Sequence, residues 1–369
     1  MRRGHEPPPK GHYKKVIDWV DANQPESPQR LYYEIHPAET LRLLDPKRVE
    51  EPLYWQYRKD TFSRKPSFVA VLPEGRFYSG RSDAVISPDN KLIWDASQLF
   101  FRKPEQHPVF SQNQLPSASR TRETAAVLTF CASHNYYHWM FDVLPKFYLL
   151  RESGVPIDKF ILNRYTGGPF HQETLGLIQI PPSKIIRPGR GFHLQARQLA
   201  VPSPAQSLPS SWACSFLRRE ILYMTLTKRK KGYERLYISR SDASYRKVKN
   251  DQQVTALLAC YGFKQVVLKG MTVAEQARLF YSADVIVSAH GAGLSNLVFC
   301  RPGTKVVEIF AAKYVNLCYW LLSNYVELDY HYLFGAGERL PERMDFSHVK
   351  DDIHVDLAAL LRMVKLLGL

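Results

Sequence analysis

Two stretches of the chain carry side chains whose types and spacing could do chemistry. In the first, residues 131–150 read CASHNYYHWMFDVLPKFYLL. His138 and Asp142 stand four apart, which places both on one face of a helix, and an aspartate that orients a histidine suits general acid/base work. Either member could take the proton of an attacking hydroxyl. The same pair could instead be a satisfied hydrogen bond inside a core helix, the reading favoured by the aromatic company of Tyr136, Tyr137, Phe141, Phe147 and Tyr148. Aromatics near a cleft can also stack on a ligand's ring, and Trp139 is the candidate for that.

In the second stretch, residues 283–296 read ADVIVSAHGAGLSN, an apolar strand that runs into a glycine-containing turn and opens a helix. Gly291 and Gly293 permit tight backbone geometry, and a helix start can hold a phosphate. Glycines at such a junction also serve purely steric ends, so companions matter. Arg240 follows a short apolar strand, Arg246 comes soon after, and both belong with His290 at the carboxyl ends of strands, where open parallel sheets bind ligands. Guanidinium groups suit a diphosphate because they donate in a planar fork and keep their charge. Glu308 sits inside the apolar run KVVEIF, where a carboxylate is costly without a partner. A ribose diol or a neighbouring cation would serve. Asn296, with Ser295, either joins the ligand site or caps the helix start.

These residues need two blocks of alternating strands and helices to position them. The first block takes in the run 125–130, the helical stretch 136–151, a strand at 160–162, a helix at 172–180 and the run 185–186. The Pro- and Ser-rich segment 199–209 and a helix over 212–226 precede the second block. That block has strands at 235–239, 265–268, 285–288 and 305–310, with helices at 252–260, 273–282 and 294–300. Alternation of this kind is the pattern of parallel sheets with crossover helices. The fold class is therefore α/β with two lobes, one over 1–226 and one over 227–350, followed by a C-terminal packing helix over 351–369. Residues 51–101 read as a β-rich decoration of the first lobe.

Bulk properties set the partners. The 369 residues carry a net charge of +15, with 45% hydrophobic and 23% charged residues. No window approaches the roughly 20 consecutive apolar residues of a membrane span. The charge asks for anionic partners, yet the basic residues do not interleave with aromatics in a nucleic-acid-binding pattern. The run Lys228–Lys231 reads as a solvated linker, with contact to an anionic membrane surface as the alternative. Five scattered cysteines and no secretory leader lead to the expectation of a cytoplasmic protein.

Three segments in order, NYYHWMFDVLPKFYLL, YISRSDASYRKVKN and VSAHGAGLSNLVFCRPGTKVVEIF, resemble glycosyltransferase family 61 over about residues 125–310. The resemblance implies a GT-B fold, a nucleotide-sugar donor with a UDP sugar as default, and inversion at the anomeric carbon. It also implies a glycan or lipid-linked acceptor, in polysaccharide or glycoconjugate synthesis. By matching motif it assigns Arg240, Arg246, His290 and Glu308 to the donor site and His138 and Asp142 to the acceptor side. The chain departs from the family at Asn250-Asp251, where Asn-Glu is frequent. No D-x-D pattern occurs, so neither a metal nor another cofactor is expected, and arginines would stabilise the leaving diphosphate. The alternatives are a catalytically silent scaffold and a basic nucleic-acid-binding protein.

Overall fold

The structure, a computed structural model, describes residues 5–26, 29–204, 207–225, 228–339, 342 and 345–369. The chain folds as two compact units, one of residues 1–39 and 64–207, the other of residues 40–63 and 208–369. Both are mixed α/β with parallel strands.

The first unit is built on a ten-stranded sheet. Its longer strands are β1 (Tyr32–His36), β2 (Ser67–Pro73), β3 (Arg76–Ser79), β4 (Asp83–Ile86), β5 (Ser119–Val127), β6 (Lys159–Ile161) and β7 (Phe192–Pro202). Strand Ile185–Ile186, β6, β5 and β7 lie side by side in parallel, so the chain order reverses between β5 and β7. Beyond β7 the pairing turns antiparallel, through β2 and β3. The β-rich stretch expected as a decoration is thus part of the main sheet, because β7 runs 11 residues and offers its far edge to both hairpin strands. The Pro- and Ser-rich composition near residue 199 had concealed the end of that strand.

The second unit carries a five-stranded, all-parallel sheet. Its strands are β8 (Arg235–Ile238), β9 (Lys264–Val266), β10 (Val285–Ala289), β11 (Lys305–Phe310) and β12 (Asp329–Phe334), in the spatial order β9-β8-β10-β11-β12. The order reverses between β8 and β10, which opens a crevice at their carboxyl ends. VIVSA in β10 and VVEIF in β11 are buried throughout, as strands covered on both faces must be. The C-terminal helix Leu357–Leu366, N-capped by Asp356, buries Leu360, Met363 and Val364 in this core, as its helical spacing predicts.

The expected boundary at 226/227 lies outside the described residues, and the compact units divide at 207/208 instead. The helix Ser211–Leu217 belongs to the second unit, and just after it Arg218 donates to the carbonyls of Val298 and Cys300 at 2.7 Å each. The segment 40–63 also joins that unit. Its Lys47 makes backbone hydrogen bonds to Tyr330 and Tyr332, covering the edge of β12 that would otherwise present unpaired groups. Tyr57, wholly buried, stacks on Tyr332 and meets Trp320 edge-on. Leu44 clamps the helix Cys318–Tyr325 from both sides of its peptide. Its carbonyl accepts from Trp320 Nε1 and its amide donates to Asn324, each at 2.8 Å.

Candidate functional site

The second unit places the predicted diphosphate residues at its crevice. Arg240 follows β8 and is bent back onto its own loop, donating from Nε to the Arg246 carbonyl at 3.2 Å and from Nη2 to that of Tyr245 at 2.9 Å. Its third nitrogen, Nη1, lies where Gly291 has no side chain, for a Cβ on that glycine would stand 1.8 Å from it. Gly291 is extended, so space rather than backbone angle demands glycine there. Gly293 has a lesser constraint, a Cβ meeting only the tip of Leu268 at 2.9 Å.

Arg246 is the more strained of the two arginines. It holds a left-handed φ of 52°, is 8% exposed, and reaches the Val349 carbonyl at 2.9 Å while its Nε has no hydrogen-bond partner among the described residues. Its guanidinium lies over the rings of Tyr245 and Tyr314. Among the described residues neither arginine meets a carboxylate, and burial together with the charge of Arg246 lowers the pKa of Arg240. Two guanidinium groups that repel each other, and whose hydrogen bonds among the described residues go only to carbonyls, could receive an anion.

His290 and Glu308 make a pair beneath them. Glu308 is wholly buried, and one oxygen takes His290 Nδ1 while the other accepts from the Tyr330 hydroxyl. The Tyr57 hydroxyl lies 3.3 Å further on. Both carboxylate oxygens are therefore occupied, and Glu308 fixes the ring of His290 instead of meeting a ribose. Asn296 is likewise no ligand residue. It is fully buried and donates to Gln276 at 2.8 Å and to the Gly293 carbonyl at 3.0 Å, bracing the turn. The element it sits on is a 3₁₀ helix, Ala292–Phe299. Asp251, where the chain departs from the family pattern, accepts from Tyr237, Ser239 and Gln265 and so anchors the end of β8.

Burial pushes the Glu308 carboxyl up to about 8 and drives the His290 imidazole well down, the latter helped by Arg246 and Arg240. Folded Glu308 keeps its proton far above its ordinary 4.5, so the stability this adds is complete below pH 4.5 and drains away as pH climbs to 8. His290 acts the other way, stabilising above 6.5 and losing that contribution as pH falls. Below pH 6.5 the two contributions oppose each other, and above 6.5 that of Glu308 remains. The second unit should lose stability as pH rises from 6.5 towards 8. Chemical denaturation of the wild type and Glu308→Gln at several pH values checks this. A slope equally steep in the variant would place its origin elsewhere.

In the first unit the helical run after β5 breaks into Tyr136–His138, a π turn over Trp139–Val143, and Lys146–Glu152. Such π turns gather at functional sites. His138 Nδ1 meets Asp142 Oδ2 at 2.7 Å, and Asp142 Oδ1 accepts from the Ser207 amide at 2.9 Å. A carboxylate only accepts, so Nδ1 carries the hydrogen and Nε2 keeps a lone pair. The ring of His138 contacts Phe100 and Phe130, which line a cleft of about 480 Å³ together with Phe68 and Trp94.

Trp139 is not in that cleft. It is fully buried, donates to Thr174 at 2.8 Å and meets the edge of His171. The π turn rotates it inward, and Phe68, Trp94, Phe100 and Phe130 are the aromatics that face the opening. Trp139→Phe should therefore lower stability by about 1–3 kcal/mol for the lost hydrogen bond and leave the acceptor KM alone. A raised KM in a stable variant would return Trp139 to the site.

A smaller cavity of about 240 Å³ opens at the carboxyl ends of β5, β6 and β7. The sequence reading missed its charges, the half-buried Asp83 and Asp95 and the buried Lys146. Only Lys146, a cation inside an apolar helical stretch, left a signal that could have been read.

Residues 136–307 match the family profile described as Glycosyltransferase 61. Over that segment the chain is similar to glycosyltransferase family 61. The family 61 match starts two residues before His138, ends one before Glu308, and covers a little under half of the chain. A β-1,2-xylosyltransferase RCN11 from Oryza sativa subsp. japonica is 43% identical over 61 residues, 16% of this chain and 11% of that protein. A β-1,2-xylosyltransferase from Arabidopsis thaliana is 33% identical over 73 residues, 20% of this chain and 14% of that protein. The chain thus spans only a small part of the length of the curated relatives it matches.

Proposed function

We propose that this chain transfers a sugar from a nucleotide-activated donor, a UDP sugar by default, to a glycan or lipid-linked acceptor. One observation carries the reading: at the carboxyl ends of the second sheet's strands the half-buried Arg240 and the buried Arg246 lie close enough to repel each other, and among the described residues neither is ion-paired to a carboxylate. A nucleoside diphosphate supplies that charge, and the matched xylosyltransferases make a pentose donor the first to try.

The strand orders of the two sheets support a GT-B arrangement with donor and acceptor held by different units. In the inverting reaction, His138 Nε2 takes the proton of the acceptor hydroxyl as its oxygen attacks the anomeric carbon. The bond to the diphosphate breaks, and the arginines hold the departing charge. Asp142 stabilises the imidazolium that forms. The reaction needs no metal in this scheme, and the protein works at the cytoplasmic face of an anionic membrane.

Calorimetry of the protein against UDP, GDP, CMP, NAD and S-adenosylmethionine, with and without EDTA, tests the proposal. Binding of UDP or GDP alone, unchanged by EDTA, is the expected outcome. Selective binding of NAD or S-adenosylmethionine would sink the transferase reading, and turnover abolished by EDTA and restored by Mn²⁺ would sink metal independence.

A further inference from the structure

Lys146 is a charge for which the described residues supply no hydrogen-bond partner. Its residue is 7% exposed, it lines the 240 Å³ cavity of the first unit, and among the described residues it makes no hydrogen bond or ion pair. Asp142 and Asp95 act on it electrostatically, Asp83 lines the same cavity, and each of the three is engaged elsewhere. Asp83 accepts from Ser79 at 2.8 Å and Asn163 at 2.6 Å. Asp95 accepts from the Val16 amide with both oxygens, at 3.0 and 3.1 Å. Asp142 is taken by His138 and Ser207. A buried ammonium left in this state is costly, and a cavity at its head offers room for the group that would complete it.

We propose that this cavity is a subsite for an anionic substituent, a carboxylate or a phosphate ester, on the acceptor sugar, with the Lys146 ammonium as its counter-charge. That the anion belongs to an acceptor rests on the transferase reading; that the cavity takes an anion does not. At about 240 Å³ the space is smaller than the roughly 300–1,000 Å³ of sites for drug-sized ligands, so it holds one sugar ring. The rest of an acceptor chain can continue into the larger cleft, which shares Asp95, Gln98, Phe130, Cys131 and Pro204 with the cavity and offers Phe68, Trp94 and Phe100 for stacking. Arg81 and Arg164 also line the cavity and add positive charge. Burial pulls the Lys146 ammonium down to about 8 against the opposing field of Asp142 and Asp95, and a bound anion would raise it again.

The test compares methyl β-glucuronide, glucose 1-phosphate and methyl β-glucoside by calorimetry. It uses the Arg240→Ala protein, so that the diphosphate site does not compete, with and without Lys146→Met. The anions should bind about 10- to 150-fold more tightly than the neutral sugar, the span of a charge-assisted contact. Lys146→Met should erase that preference. In the otherwise wild-type background the same substitution should leave UDP affinity unchanged. The tighter of the two anions identifies carboxylate or phosphate. Equal binding of all three sugars, a preference that survives Lys146→Met, or loss of UDP binding in Lys146→Met would each overturn the proposal. Should Lys146→Met fail to fold, Lys146→Gln takes its place and the three-sugar comparison stands by itself. Failure of UDP to bind while the anion preference persists would remove the transferase reading and keep the subsite.

Discussion

Asp142→Asn should reduce turnover by about 10²- to 10⁴-fold, the range of a lost general base, while nucleotide binding stays as it was. The reason lies in the two hydrogen bonds that Asp142 accepts, from His138 Nδ1 and from the Ser207 amide. An asparagine has one accepting oxygen and one donating nitrogen. If the oxygen serves Ser207, the amide nitrogen points at Nδ1 and forces the hydrogen onto Nε2. The imidazole is then present but in the tautomer that cannot accept a proton. Steady-state kinetics with saturating donor, alongside UDP calorimetry and a melting curve, separates this from a general loss of structure. Wild-type turnover in a folded Asp142→Asn protein would mean that the pair is structural and that the base lies elsewhere.

Arg240→Ala is the counterpart in the second unit. Loss of one charge-assisted contact costs about 1.5–3 kcal/mol, so UDP affinity should fall by about 10- to 150-fold. Two further variants separate charge from geometry. Arg240→Lys keeps a cation but loses the fork that braces the Tyr245 and Arg246 carbonyls, and should recover only part of the loss. Gly291→Ala changes no charge, yet its methyl would claim the place of Arg240 Nη1, so it should weaken UDP comparably. Unaltered UDP binding in both Arg240→Ala and Gly291→Ala would remove the diphosphate from this crevice.

What the sequence disclosed follows from which interactions are local. The strands and helices between Arg235 and Phe310 alternate in short runs bounded by turn residues, so their order and nearly their limits can be read from pattern alone. His138 and Asp142 were legible because helical spacing by itself brings them together. Trp139 was not, since a π turn adds a residue to the helical cycle and carries the indole to the core side, and no composition signal marks that extra residue. Glu308 and Asn296 are polar residues in apolar company, and the sequence says that each needs a partner without saying which. The partners proved to be His290 and Tyr330, and Gln276, all supplied by neighbouring strands or helices. Asp83, Asp95 and Lys146 are far apart in sequence and meet only through the topology of the sheet.

The segment 40–63 fixes the order in which the protein can be completed. It leaves the ribosome before its seat on β12 and the helix Cys318–Tyr325 is made, and the Tyr57–Tyr330 hydroxyl pair spans 273 positions of sequence. Contacts of such separation form slowly, because the intervening chain must be ordered before they are rewarded. During synthesis Tyr57, Leu44 and Lys47 must wait for β12 and that helix, and residues 208–369 cannot complete their unit without residues 40–63. A fragment beginning at residue 208 would lack the strip that shields its last strand, and should self-associate through that bare edge until the missing residues are supplied in trans.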